Sequence, residues 1–499
     1  MVASFLDRSR IIAPPGWSRW LVPPAALAIH LSIGQAYAWS VFKRPLEASL
    51  GLSGTQSAIP FQLGIVMLGL SAAIGGTRVE RYGPRWAMAL AALCWSLGFI
   101  VAAIGVAMRW FPLVVIGYGA LGGIGLGIGY ISPVSTLLKW FPDRPGLATG
   151  IAIMGFGGGA LIASPWSARM LDAFGRTPEG IARCFMVDGV VYACAMTLGV
   201  WLVRLPRPDA ALVSAAAGGP SSEIPVQVSA KNAIRTPQFW FLWTVLCLNV
   251  TAGIGVLEKA SPMITDFFAG TPSAVDAMTA AGFVALLSLA NMLGRILWSS
   301  ASDVVGRKNI YRLYLGAGAL AYASLAGPSG ASKPIFVFSA FVLLSFYGGG
   351  FATIPAYLRD LFGTFQVGAI HGRLLTAWSV AGVAGPLIVN FISDARRTSG
   401  LHGAALYGTS FVVMIALLAI AFVANELTRP VDPRFHEPAE PSGGSTTKTA
   451  DAMDASNDVE IAPATRATLL VLSWACVLVP FAFGVIELFR KTSQLFAAQ

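Results

Sequence analysis

The stretch "GGTRVERYGPRW", Gly75–Trp86, sets an acid, a glycine and several bases in a short break between two apolar segments, and "SSASDVVGRKNI", Ser299–Ile310, repeats the arrangement. Glu80 aligns with Asp303 and Gly83 with Gly306 at one offset of 223 residues. A second pair of loops keeps nearly the same spacing: "WFPDRPGLATG" (Trp140–Gly150) against "DLFGTFQVGAIHG" (Asp360–Gly372), with Phe141 and Phe362 offset by 221 and Gly150 and Gly372 by 222. Two independent loop pairs at one spacing mark the chain as two parallel repeats. Within each first loop the acid and the following bases can pair at helix ends, and the glycine permits a tight turn. Glu80, Arg81, Gly83, Arg85, Asp303, Gly306 and Arg307 are therefore candidates for loops that gate a conformational change.

The segments between the loops define the class. Of 499 residues 55% are apolar and only 12% charged, with a mean hydropathy of +0.68, whereas about a quarter of a soluble domain is charged. Apolar runs of about 20 residues match bilayer thickness. They fall at 21–42, 57–77, 86–108, 111–138, 146–168, 184–203, 238–260, 277–300, 309–327, 334–358, 369–392 and 402–426, with a thirteenth at 467–489. So many crossings satisfy the backbone only as helices. The expected protein is an all-α integral membrane protein in which residues 1–20 precede a six-helix half (21–203), a Pro/Ser/Ala-rich linker (204–237), a second half (238–427), an acidic disordered segment (428–466) and an additional hydrophobic helix (467–489). Basic residues such as Arg78, Arg81, Arg85, Lys139, Arg204, Arg207, Arg307 and Lys308 gather on one side, which predicts a cytoplasmic N-terminus and linker.

Other signals exclude functions. Cys94, Cys184, Cys194, Cys247 and Cys476 lie in or beside apolar runs without metal or redox spacing. The net charge of +10 is scattered through connections, so topology accounts for it better than a nucleic-acid partner. Arg8, Arg10 and Arg19 precede an apolar stretch too long for a cleaved signal core. "GALGGIGLGIGYISP" (Gly119–Pro133) lies inside a span with no preceding strand, and its small residues suit close helix packing rather than a dinucleotide. With no nucleophile elbow, P-loop or metal spacing, no enzymatic activity, cofactor or metal is expected.

One charge stands out. "LSLANMLGRILW" (Leu287–Trp298) carries Arg295 inside a span, at a cost of about 2.5–3.5 kcal/mol at the membrane centre. Snorkelling to the headgroups is the bland reading, since the estimated span end lies roughly 7.5 Å away by helical rise. Against it, Ser288, Asn291, Arg295, Trp298 and Ser302 recur at intervals of three or four and form one stripe, as expected for a helix lining a wet cavity. His30, Gly34 and Tyr37 share a face of the first span; Tyr130, Tyr347, Phe351 and Trp378 offer further polar or aromatic groups, each of which alone is more often packing. Glu258 and Lys259 read as a solvated pair at a span end, and His371 and Arg373 as gating contacts or interface anchors. The notable buried charge is positive, unlike the acids expected in an exporter of cations.

Twelve spans in two halves, with an acid/Gly/basic loop in each, resemble the major facilitator superfamily. "RTPQFW" (Arg235–Trp240) and "WFPDRPGLATG" are similar to motifs of its oxalate/formate antiporter family, and that family also places an arginine in the eighth span. Similarity to the monocarboxylate transporters is looser. The resemblance covers roughly residues 20–427 and implies a major facilitator fold, with the thirteenth run as an addition. It also implies a secondary carrier of small carboxylates in the inner (plasma) membrane, working as a monomer by alternating access. Positions matching Tyr37, Tyr130, Tyr347, Phe351 and Arg295 line that family's substrate cavity; Asn291 and Trp378 join them here as binding candidates. Trp378 stands where the oxalate carrier has a second cation, a lysine. One remaining charge favours a monocarboxylate of the formate, pyruvate or lactate kind over oxalate, with exchange as the expected mode. Proton symport is the alternative, with His30 as its titratable candidate; a carboxylate sensor that does not transport is a further alternative.

Overall fold

The computed structural model describes residues 5–207, 227–272, 274–275, 277–327, 332–437 and 462–496. Helix α1 runs Arg19–Ala38 and continues after a 48° bend as Ser40–Leu50. There follow α2 (Gly54–Tyr82), α3 (Pro84–Ala107), α4 (Phe111–Trp140), α5 (Pro145–Phe174) and α6 (Pro178–Leu202). The second half holds α7 (Pro237–Phe267), α8 (Ala277–Val305), α9 (Arg307–Ala326), α10 (Lys333–Phe362), α11 (Val367–Thr398) and α12 (Gly408–Leu427). A last helix, α13, spans Pro463–Phe496. Each apolar run of the sequence falls on one of these helices. Ten are long and apolar enough to cross a membrane, and the bent α1 makes an eleventh. α8 and α9 complete the set; α9 is less apolar because Arg307, Lys308 and Arg312 occupy its first two turns.

Local chemistry sets where the helices begin. Proline opens α3, α5, α6 and α7, where its missing N–H costs nothing. Ser53 and Gln56 form a reciprocal capping box at α2. In "RTPQFW", the Thr236 side chain accepts from the Phe239 N–H at 3.3 Å, Pro237 opens α7, and the Trp240 indole closes back on Ile234 O at 2.9 Å. The motif is a helix start.

The repeat is visible in the packing. Within the first half α1 packs on α5, α2 on α4 and α3 on α6; within the second, α7 packs on α11, α8 on α10 and α9 on α12. The halves meet along two seams, α2 with α11 and α5 with α8. Both seams rely on small residues. A methyl on Gly76 would come within 2.7 Å of the Ala369 Cα, and one on Gly150 within 2.9 Å of Arg295 O.

The tail differs from expectation. Residues 428–437, read as the start of a disordered segment, are ordered: Pro433–Phe435 forms a helical turn capped by Asp432, and the Glu437 N–H donates to Gln227 O at 2.8 Å. Ordering follows because this stretch finds backbone partners in the end of the linker. The linker at 208–226, the acidic segment at 438–461 and the side chains of Glu258, Arg490 and Lys491 lie outside the described residues. α13 starts four residues earlier than its apolar run.

Gly83 and Gly306, matched by the repeat, both follow a long helix with φ of +89° and +88°. A side chain there is strained by about 1–3 kcal/mol. Nothing lies within 4 Å of a Cβ built on Gly306 or on the helical Gly408, so the two isolate the backbone term. Gly306→Ala is expected to lower the melting temperature of the purified protein, whereas Gly408→Ala leaves it unchanged or slightly raised.

Candidate functional site

Arg295 is fully buried and does not reach toward either end of α8. Its Nε donates to Asn291 Oδ1 at 3.1 Å, one helical turn back, and its Nη1 donates to Ile153 O of α5 at 3.1 Å, across the seam between halves. Nη2 has no partner. Among the described residues no carboxylate forms an ion pair with it. Its guanidinium carbon stands 5.7 Å from the Phe156 ring and 5.5 Å from the Phe351 ring, one from each half. Aromatic faces stabilise a cation without neutralising it. Gly157 makes room: a methyl there would meet Arg295 Nε at 3.2 Å.

Around this clamp the aromatic candidates converge. Trp378 lies 4.7 Å from Phe351, 5.6 Å from Phe156 and 6.1 Å from Tyr130; Tyr130 also meets Phe156 and Phe351, and Tyr37 meets Phe156 edge-on at 5.0 Å. Tyr347 faces Tyr37, Trp378 and Arg295. The hydroxyls of Tyr37, Tyr130 and Tyr347 and the Trp378 indole N–H nonetheless close no hydrogen bond of normal geometry. Each of these groups, like Arg295 Nη2, can donate, and none finds an acceptor in hydrogen-bonding geometry.

All seven residues expected at a binding site come together, while the stripe on α8 divides. Trp298 turns away, its indole donating to Ser345 of α10 at 3.2 Å and its ring 5.4 Å from Phe346. The 3.6-residue period rotates the stripe relative to a fixed neighbour, so Asn291 and Arg295 face the cage and Trp298 faces its own half. Two further residues join the cage: Phe156, which the sequence does not single out among the glycines at 155 and 157–159, and His371, expected as a gating contact or interface anchor, whose ring is 5.8 Å from Tyr130 and whose Nε2 closes no hydrogen bond. His371 is therefore no interface anchor. His30 stacks on Tyr130 at 5.3 Å, and its two ring nitrogens face carbonyl oxygens, Nδ1 on Ala152 at 2.5 Å and Nε2 on Tyr130 at 3.1 Å. One acid is also buried: Asp188 of α6 accepts from the Trp166 indole at 3.0 Å, and its other oxygen is unpartnered. None of its neighbours, Tyr118, Tyr192 and Cys184, belongs to the cage.

The matched loops cross over. The Asp303 carboxylate accepts from the Gly146 and Leu147 N–H groups at 2.8 and 2.9 Å, capping the start of α5 in the other half. Glu80 does the reverse, accepting from the Gly368 N–H at the start of α11 at 3.2 Å. Each acid is braced by a base in its own half: Arg307 to Asp303 at 2.6 Å and Asp360 at 3.0 Å, Lys139 to Glu80 at 2.8 Å. Arg81 and Arg85 do not take part. Arg81 lies over the Tyr82 ring, and the buried Arg85 donates to Phe5 O and Val203 O, tying the N-terminal segment to its own half.

A twofold-repeated helical bundle with a cation-bearing cage between halves, closed at one end by reciprocal helix caps, has the architecture of a membrane transporter. Residues 25–386 match the Major Facilitator Superfamily, and the chain belongs to it. It is 27% identical over 426 residues to the oxalate:formate antiporter of Oxalobacter formigenes, covering 83% of this chain and 93% of that protein. It is 24% identical over 379 residues to apicoplast pyruvate carrier 1 of Toxoplasma gondii, covering 66% of this chain and 68% of that one. Its fold is similar to that of the transporter FucP in an outward conformation, with a TM-score of 0.63 at 11% identity over 83% of this chain and 100% of that chain.

A carboxylate on a helix N-terminus with charge-assisted hydrogen bonds contributes on the order of 1–2 kcal/mol. Asp303→Asn and Glu80→Gln are each expected to raise the open population at this end by roughly tenfold. The measurement is the rate of maleimide labelling of a Ser135→Cys reporter, which is buried behind Gly368, in a background lacking the five native cysteines. Unchanged labelling would mean that these caps do not hold the halves together.

Proposed function

We propose that the protein exchanges small monocarboxylates across the membrane by alternating access, with Arg295 as the binding cation. The observation that carries this reading is the buried guanidinium with a free Nη2 and no counter-ion among the described residues, set among the donors of Tyr37, Tyr130, Tyr347 and Trp378. A carboxylate supplies what the cage lacks, a negative charge and acceptor oxygens, and the planar guanidinium orients it. One fixed cation neutralises a monoanion; a dianion leaves a negative charge in low dielectric. Trp378 occupies the place where a second cation would favour the dianion, and it packs against Phe351 and Phe156 instead. Relationship to the oxalate:formate antiporter and to a pyruvate carrier supports the carboxylate class.

Exchange follows from the same electrostatics. Empty, the site holds an uncompensated cation that resists burial; loaded, it is neutral and the halves can close and rock. The Glu80 and Asp303 caps are the gate in this scheme, and the excess of basic residues assigns their end to the cytoplasm of a plasma-membrane protein.

Proton symport is a second reading, favoured by His30. A neutral imidazole has one N–H and can satisfy one carbonyl, whereas the two oxygens at Ala152 and Tyr130 are both satisfied by the imidazolium.

In proteoliposomes, formate, pyruvate or lactate is expected to exchange faster than oxalate, and oxalate outcompeting all of them would overturn the ranking. Arg295→Gln is expected to abolish specific uptake with the protein still in the membrane. Trp378→Lys is expected to raise the oxalate-to-formate ratio by about tenfold or more, one ion pair in low dielectric. If protons are co-transported, an inward pH gradient drives uptake without internal anion, and His30→Gln removes that stimulation while sparing anion-for-anion exchange.

A further inference from the structure

α13 lies along α1, α5 and α8, so it touches both halves. Among the described residues, polar attachments tie it to the first half at several levels. Near its start Arg466 donates to Gly16 O at 3.2 Å, and the Trp474 indole donates to Trp20 O at 3.0 Å. Near its end Glu487 pairs with Arg169 of α5 at 2.6 Å, and the Arg169 guanidinium lies 4.8 Å from the Phe483 ring. Between them Gly484 lies flat on α5, where a methyl would come within 2.9 Å of Leu161 O. Ties at both ends and an intimate middle make α13 part of the first half.

Its contact with the second half is apolar and local. Leu161 of α5 and Met292 of α8 form a small core, separate from the main one, packed by Met154, Leu289 and Phe481. Met292 lies three residues before Arg295 on α8, close to one helical turn. On α5 two successive glycines, about 100° apart around the helix, take different neighbours. A methyl on Gly157 would meet Arg295 Nε at 3.2 Å, and one on Gly158 would meet the Phe481 ring at 2.9 Å and Met292 Sδ at 3.4 Å. The guanidinium and the ring of α13 thus rest on neighbouring glycines of α5, and Met292 links the ring to the turn of α8 that carries Arg295.

We propose that Phe481 is a positioning residue for Arg295. Wedged from the lipid side against Gly158 and Met292, it fixes how closely α8 approaches α5 at the level where Ile153 O accepts the Nη1 proton and Phe156 and Phe351 clamp the guanidinium. The wedge is needed because a glycine-lined contact has no side chains of its own to set its depth or register. Without the ring, Met292 and its turn of α8 move into the void, and Arg295 moves with them. This inference rests on the reading of Arg295 as the carboxylate site.

The test uses the full-length protein in proteoliposomes and separates KM from maximal exchange rate for the best carboxylate. Phe481→Ala is expected to raise KM by about tenfold, as small misplacements of a binding group do, with the maximal rate per folded protein kept within about twofold. Phe481→Leu, which retains an apolar wedge, is expected to stay near the parent. Gly158→Ala is expected to raise KM by pushing on the ring, and adding Phe481→Leu to it is expected to restore KM, a compensation that general destabilisation does not produce. An unchanged KM in Phe481→Ala, or a Gly158→Ala defect that Phe481→Leu does not relieve, overturns the proposal. Arg295→Gln run alongside separates the two levels: retained carboxylate uptake in that variant sinks the site itself, whereas lost uptake with an insensitive Phe481 sinks only the wedge.

Discussion

The structure turns on a guanidinium inside the membrane that is hydrogen-bonded but not neutralised. Arg295 draws its support from both halves: Asn291 and Phe351 from its own, Ile153 O and Phe156 from the other. Parting the halves at the α5–α8 seam therefore strips the cation of a hydrogen bond and an aromatic face together. Closing them restores both but seals the charge away from water, which low dielectric penalises unless an anion enters with it. Conformation and charge balance are therefore coupled at this residue, which is what the proposed exchange requires.

The closure at one end follows the same logic of divided ownership. Each half contributes an acid and a helix N-terminus, and the acid of one caps the helix of the other: Asp303 on α5, Glu80 on α11. The duplicated sequence makes this reciprocal, since whatever one half offers the other also offers. Positive-φ glycines at 83 and 306 turn the chain directly behind each acid, so the acids are held at the seam by a backbone geometry few other residues tolerate. Reciprocal caps are weak singly, and weak closure suits an interface that opens repeatedly in the proposed exchange cycle.

Much of this was legible along the chain because it is periodic. Apolar runs of bilayer length marked the helices, and the constant offset between loop pairs marked the two halves. The basic loops gave the acids that cross the seam. Tyr37, Tyr130, Asn291, Tyr347, Phe351 and Trp378 were expected beside Arg295 and are found there, most of them through family resemblance rather than spacing. Phe156 is not legible because the glycines around it speak first for close packing, and the place of His371 near the start of a helix is compatible with a gating contact or an interface anchor but does not point to the cage. Trp298 was misassigned to the cage, since a stripe read at ideal spacing does not say where the neighbouring helix stops facing it. Arg81 and Arg85 were grouped with the gate by proximity in sequence, yet their side chains serve the N-terminal half alone.

By itself the sequence determined the helical membrane class, the duplication and the placement of an arginine within a span, because hydropathy and repeat spacing are properties of the chain read in order. The tertiary structure decided which groups meet that cation and which acid meets which helix end. It also decided that α13 presses a ring against Gly158, next to the glycine on which Arg295 rests. The contacts of Arg295 with Ile153 and Phe156, of Asp303 with Gly146 and of Glu80 with Gly368 join residues more than a hundred positions apart on helices from different halves, and their geometry is set by close packing across seams rich in small residues. No local pattern encodes which two bare helix faces will meet, or at what depth.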